Sequence, residues 1–190
     1  MKSKKNSYEK KKLSLDSIGR ISKEEYKDSD KLPLVIIMDN IRSMNNVGSV
    51  FRSSDAFRIE KLYLCGITPR PPHREIHKTA LGSTDNVDWE SSDSAIETIR
   101  ELQDQGYLIY SLEQTLNSIN LKDFIPIPNK KYGIVIGNEV DGVSQETIDI
   151  CDGVIEIPQF GTKHSLNVSV ATGIIIWDIY SKLGIELIKE

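Results

Sequence analysis

Leu34-Val-Ile-Ile-Met38, running directly into Asp39-Asn40, is the stretch on which the fold turns. Five apolar residues without a polar alternate do not suit a strand with one wet face; they suit a strand buried on both. Such strands belong to sheets covered by helices on either side, so a helix should follow. Asn45-Asn46 can cap one that runs to about Phe57, with Val47, Val50, Phe51 and Ala56 among its apolar positions. Leu62-Tyr-Leu-Cys65 then forms a second strand, closed by Gly66, before a Pro-rich loop, Thr68-Pro-Arg-Pro-Pro72.

The alternation continues outward. Ser94-Ala-Ile-Glu97 has the spacing of a capping box, and Ile96, Ile99 and Leu102 recur at helical intervals until Gly106. Strands are predicted at Tyr107–Leu112, Gly133–Ile136 and Val154–Ile157, and a long, mostly apolar helix from Val168 to about Leu183. Strands alternating with helices imply an α/β domain with a mostly parallel sheet flanked by helices. We place that domain at residues 32–190. Residues 1–31 are polar and weakly patterned: a flexible basic arm with a short helix near Ser22–Lys27. In the arm, Lys2, Lys4, Lys5, Lys10, Lys11 and Lys12 stand against Glu9 alone, a pattern that suits a solvated tail and an RNA contact equally.

Composition bounds the class. The chain has 190 residues, 38% of them apolar, enough for a single core. No window approaches the ~18 uninterrupted apolar residues of a membrane helix, and no apolar segment follows the basic N-terminus as a secretory signal requires. Two distant cysteines, Cys65 and Cys151, suit a reduced, cytoplasmic protein. A net charge of −4 argues mildly against nucleic acid, although the lysine-rich arm softens that objection.

In parallel sheets ligands bind beyond the carboxyl ends of the strands. Asn40, Glu113, Gly137-Asn-Glu139 and Gln159-Phe-Gly161 all follow predicted strands, so a site is expected there. The usual cofactor signatures are missing. No G-x-G-x-x-G, no G-x-x-x-x-G-K-S/T and no G-x-S-x-G occurs, which removes the dinucleotide fingerprint, the P-loop and the hydrolase elbow. His73-Arg-Glu-Ile-His77 has two histidines at ligand spacing, but Arg74 occupies the place of the zinc-protease glutamate and no third ligand is near, so no metal is expected.

Three segments remain: Asn40-Ile-Arg-Ser-Met-Asn-Asn-Val-Gly-Ser-Val-Phe-Arg52, Ile134-Val-Ile-Gly-Asn-Glu-Val-Asp-Gly-Val-Ser144, and Ile155-Glu-Ile-Pro-Gln-Phe-Gly-Thr-Lys-His-Ser-Leu-Asn-Val-Ser-Val-Ala171. In order and spacing they resemble the three signature motifs of the SpoU (TrmH-like) RNA methyltransferases of the SPOUT superfamily, over about Leu34 to Leu183. Leu112-Glu-Gln-Thr115 also looks like that family's strand-end loop. The resemblance implies 2′-O-methylation of ribose in structured RNA, tRNA or rRNA, with S-adenosylmethionine as methyl donor. It also implies a C-terminal trefoil knot and a homodimer, in a compact form without a separate RNA-binding domain.

By the same resemblance Arg52 is the central catalytic residue, Asn46 positions the ribose and Arg52, and Glu139 organises the site near Arg52. Ser165 and Asn167 lie beside the target ribose. Gly137 lets the cofactor approach the backbone, Ile157 and Leu166 hold the adenosyl group through their backbones, and Leu112 and Glu113 belong to the cofactor loop. Each position has a plainer reading too: Asn46, Ser165 and Asn167 as helix caps, Arg52 and Glu139 as surface charges, Gly137 as a strand-end turn, Ile157 and Leu166 as core. Because a guanidinium is normally held protonated, Arg52 is expected to clamp a phosphate and stabilise a developing alkoxide rather than act as a base. The loop Arg70–Lys78 is expected either to touch RNA phosphates or to be simply solvated. A base-directed SPOUT methyltransferase and a non-catalytic RNA-binding or assembly factor are the alternatives.

Overall fold

The computed structural model describes residues 12–14 and 18–183. Its elements are α1 (Lys23–Asp28), β1 (Leu32–Asp39), α2 (Met44–Ala56), β2 (Ile59–Cys65), α3 (Arg74–Ala80), β3 (Trp89–Ser92), α4 (Ala95–Asp104), β4 (Tyr107–Leu112), β5 (Ile119–Asn120), β6 (Lys131–Ile136), α5 (Gln145–Ile150), β7 (Gly153–Glu156) and α6 (Val168–Leu183). The strands form one sheet of seven in the order β3-β2-β1-β6-β4-β7-β5, and every pairing is parallel.

The β1 run is buried on both faces, as its unbroken apolar character requires. Leu34, Ile36 and Met38 pack with Val47, Val50 and Phe51 of α2 and Ile175, Ile176 and Ile179 of α6. Val35 and Ile37 pack in a second cluster with Ala95, Ile99 and Leu102 of α4. The two-residue period of a strand thus feeds two helical layers at once. Each fully buried Leu or Ile contributes about 1.5–3 kcal/mol relative to exposure. Pairing of β1 with both β2 and β6 puts its carboxyl end, Asp39-Asn40, at the middle of one sheet edge.

Several boundaries differ from expectation. The α2 helix is capped by Ser43, whose side chain accepts from the Asn46 N–H, and not by Asn45 or Asn46. The stretch from Arg74 is helix α3 rather than loop. Its only two buried residues are Ile76 and Ala80, too few for a periodicity signal. Docking on α2 stabilises it, with the Thr79 hydroxyl donating to the Asn45 carbonyl at 3.0 Å. The expected flexible arm also ends earlier than its predicted boundary. From Ser22 the chain is a helix with a complete capping box, and Tyr26 is buried in the main core. Of the lysines named in that arm only Lys12 is among the described residues. Among the described residues no helix is long and apolar enough to cross a membrane.

Candidate active site

The site grows from Asn40, where β1 ends. Its backbone is left-handed (φ 55°), a conformation that asparagine tolerates better than most residues. Its Oδ1 accepts from the Ile67 N–H at 3.2 Å, and its carbonyl accepts from the Asn138 side-chain amide at 2.8 Å. The loops after β1, β2 and β6 are thereby tied together at the sheet edge.

The loop after β6 is a tight wall. Asn138 and Gly142 pair across it, N–H to carbonyl, at 3.1 and 2.9 Å, and Asn138 Oδ1 accepts from the Val140 N–H at 2.8 Å. A Cβ on Gly137 would fall on the carbonyl group of Gly142 and the nitrogen of Val143, so no side chain fits. Gly142 has φ +67°, and a Cβ there would meet the Glu113 carboxylate. That carboxylate in turn accepts from the Val143 N–H at 3.1 Å. Glu113, at the end of β4, is thus a brace for the wall.

Glu139 turns the wall toward α2. Its carboxylate accepts from the N–H groups of Arg42 at 2.9 Å and Ser43 at 3.0 Å, and from the Asn46 amide at 2.8 Å. Burial pushes the Glu139 carboxyl up. The Arg42 N–H, the Asn46 amide and the Ser43 N–H outweigh that and hold it below the usual carboxylate value. A carboxylate at the start of α2 also faces the positive end of the helix dipole. The other end of the Asn46 side chain completes the chain: its Oδ1 accepts from the Asn167 amide at 3.0 Å. Asn167 meanwhile caps α6, its Oδ1 accepting from the Ser169 N–H at 2.9 Å. Capping and site-building therefore coincide at Asn167, whereas Asn46, relieved of capping by Ser43, spends its whole side chain on Glu139 and Asn167.

A cleft of about 700 Å³ opens beside this network. Gly137, Ile157, Leu166, Leu112, Glu113, Glu139, Ser165 and Asn167 all line it. Gln114, which no role in the sequence singles out, lines it as well and donates its side-chain amide to the His164 carbonyl at 3.0 Å. Asn138 has no signal of its own within Gly137-Asn-Glu139; its bond to Asn40 needs the tertiary fold to appear. Two candidates do not line the cleft: Asn46 reaches it only through its bonds to Glu139 and Asn167, and Arg52 lies exposed on α2.

Other candidates resolve plainly. His73 caps α3, its Nδ1 accepting from the Glu75 N–H at 3.2 Å, and among the described residues no three His, Cys, Asp or Glu side chains gather as a metal site. Burial pushes the Cys65 and Cys151 thiols up to about 11 and about 12, which leaves neither a nucleophile. Arg70 and Lys78 are exposed and make loose ion pairs with Asp93 at 3.6 Å and Glu75 at 3.8 Å.

The family described as "SpoU rRNA Methylase family" matches residues 33–177. The chain belongs to the SpoU rRNA methylase family. Among its SpoU relatives, a 23S rRNA (guanosine-2'-O-)-methyltransferase RlmB of Xanthomonas axonopodis pv. citri is 31% identical over 156 residues, 80% of this chain and 60% of the relative. A tRNA (guanosine(18)-2'-O)-methyltransferase of Aquifex aeolicus is 32% identical over 151 residues, covering 76% and 67%. The fold is shared with an AdoMet-bound rRNA methyltransferase from Sinorhizobium meliloti, with a TM-score of 0.74 at 23% identity over 86% of this chain and 62% of that one. The chain thus spans about 60% of the length of the RlmB relative. All three SpoU motifs read from the sequence fall within the matched residues.

Proposed function

We propose that this chain methylates a ribose 2′-oxygen in structured RNA, tRNA or rRNA, with S-adenosylmethionine as donor, and works as a cytoplasmic homodimer. The observation that carries the reading is the hydrogen-bonded chain Glu139–Asn46–Asn167, which joins all three motif segments at the edge of one cleft. Relatives named as 2'-O-methyltransferases of rRNA and tRNA support the choice of ribose over base.

The cleft suits the donor. Its volume falls in the usual range of ligand sites, roughly 300–1,000 Å³. Leu112, Ile157, Leu166 and Val168 offer apolar surface, while Glu113, Glu139, Asp141 and Glu156 line it, with no lysine or arginine among the described residues. That lining is complementary to a ligand carrying a sulfonium and an ammonium against one carboxylate. When bound, the donor supplies an already activated methyl group. The backbones of Gly137, Ile157 and Leu166 would hold it, with Leu112 and the braced Glu113 beside them.

The protein's own work is alignment. Asn167 and Ser165 receive the sugar, and Asn46 and Glu139 keep Asn167 in place. Alignment of this kind supplies up to ~7–11 kcal/mol of a barrier. Arg52 clamps the neighbouring phosphate and stabilises the developing alkoxide, while the proton passes to solvent or an adjacent group.

Dimerisation explains the position of Arg52. Helix α6 presents Val170, Ile174 and Trp177 to solvent, 51, 37 and 56% exposed, as a stripe at helical spacing. This helix packs on α2, so a second copy covering the stripe would bring α2, and Arg52 on it, to the interface. The trefoil knot belongs to the same proposal. Supporting it, β7 pairs between β4 and β5, while α6 returns to the β1 face.

Calorimetry with S-adenosylmethionine and mass-spectrometric mapping of ribose methylation in a deletion strain test the reading. One lost 2′-O-methyl mark and a measurable binding heat are expected. Full methylation in the deletion strain, or no heat, would refute it.

A further inference from the structure

The acidic lining that suits a sulfonium ligand repels a phosphodiester, so the cleft interior cannot itself grip an RNA strand. The segment between β7 and α6 has the opposite character. Gln159, His164 and Ser165 line the cleft. Between them Phe160 carries its ring 95% exposed, with Lys163 exposed beside it. The far end of this segment is fastened, since the His164 carbonyl accepts from the Gln114 amide. It leads directly into Ser165 and Asn167, on the side of the cleft where Asn167 meets Asn46. An aromatic ring in water, a cation nearby and a cleft that opens alongside are the parts of a nucleotide grip: bases stack on aromatic faces, and Lys neutralises the adjoining phosphate.

We propose that Phe160 is a stacking platform for an unpaired base next to the modified ribose, with Lys163 on the adjacent phosphate, a role that rests on the methyltransferase reading above. Stacking there fixes the height of the strand at the cleft mouth and so selects which sugar reaches Ser165 and Asn167. Ribose methylation would then require a locally unpaired nucleotide. The competing occupant is a second copy of this chain, because the apolar stripe of α6 begins nearby in sequence.

The test uses the full-length chain, total RNA from a strain lacking the gene, and labelled S-adenosylmethionine. Phe160→Ala and Phe160→Leu should each raise the KM for RNA about 10-fold, the scale of removing one base stack. Phe160→Trp should keep the wild-type KM. Calorimetric affinity for S-adenosylmethionine and the sedimentation coefficient should not change in any variant. If Phe160→Leu works as well as Phe160→Trp, the ring offers only apolar surface and stacking is wrong. If Phe160→Ala alters the sedimentation coefficient, the ring belongs to a subunit interface instead. An indifferent Phe160→Ala in an otherwise active enzyme overturns the platform alone, whereas a wild-type chain that binds no S-adenosylmethionine overturns the methyltransferase reading.

Discussion

Asn46 donates its side-chain amide to the Glu139 carboxylate at 2.8 Å, fastening helix α2 to the loop after β6. Both ends of this buried amide are engaged, so truncation strands two partners. Asn46→Ala should cost about 1–2 kcal/mol, a fall in Tm of roughly 2–8 °C for a chain of this size. Turnover should drop by at least about 10-fold, since Asn167 loses its support. Thermal melts and single-turnover kinetics check the two effects separately. Wild-type turnover in a destabilised Asn46→Ala would mean the bond is structural only.

The wall glycines make a sharper case. Gly137→Ala drives a methyl into the backbone of Gly142 and Val143, with nothing flexible to yield. A destabilisation of about 1–3 kcal/mol is expected from overpacking, together with weaker S-adenosylmethionine affinity measurable by calorimetry. Unchanged affinity would remove this loop from the donor site.

Arg52→Lys separates a fork-shaped clamp from simple positive charge. Turnover should fall by about 10-fold or more, with donor binding unaffected because Arg52 is assigned to the phosphate and the developing alkoxide rather than to the donor. Near-full turnover with unchanged RNA affinity would end the clamp hypothesis.

Neutralising Arg70, Arg74 and Lys78 together, as Gln, tests the surface around α3. All three are exposed. If they meet phosphates, the slope of log affinity against log salt should flatten by about one unit for each phosphate left without its cation. An unaltered slope would exclude α3 from the RNA footprint.

Two carboxylates give opposite pH signatures. Glu139 is held below the ordinary carboxylate value, so its stabilisation is present above that value and is lost as pH falls through the folded-state one. Asp39, at the end of β1, is pushed up by burial, against its bonds from Thr147 and Asn40. Its contribution is fullest below the ordinary carboxylate value and declines as pH rises through the raised one. Glu139→Gln should therefore reduce the acid-side loss of stability, and Asp39→Asn should reduce the decline above it. Melts in buffers from below the ordinary carboxylate value up to neutral pH decide both; parallel curves for wild type and variant would contradict the assignment.

What the sequence disclosed follows physical signal strength. The β1 run and α6 are readable because burial on both faces or a long apolar helix leaves a dense pattern. Helix α3 and strand β3 are not, because seven and four residues with few buried positions carry little periodicity and form by docking. At the site, the alternation itself predicts only a cleft at the strand ends; the residues that line it on the donor side are named by the motif resemblance, Leu166 among them although it lies well past the end of β7. The network among Glu139, Asn46 and Asn167 is invisible in sequence as geometry. Their numbers are far apart, and Asn46 has the look of an N-cap, a role that the fold gives to Ser43.

Leu34 pairs with Tyr132, and β6 sits at the centre of the sheet while arriving late in the chain. During synthesis, β1 must wait with one edge unsatisfied until the ribosome has made the strand that covers it. Parallel pairings between such distant segments carry a large loop-closure cost and are intrinsically slow to form. The early β1–β2–β3 sheet, with its Leu34–Met38 run uncovered on one side, is therefore the point at which a nascent chain is open to aggregation and to chaperone capture.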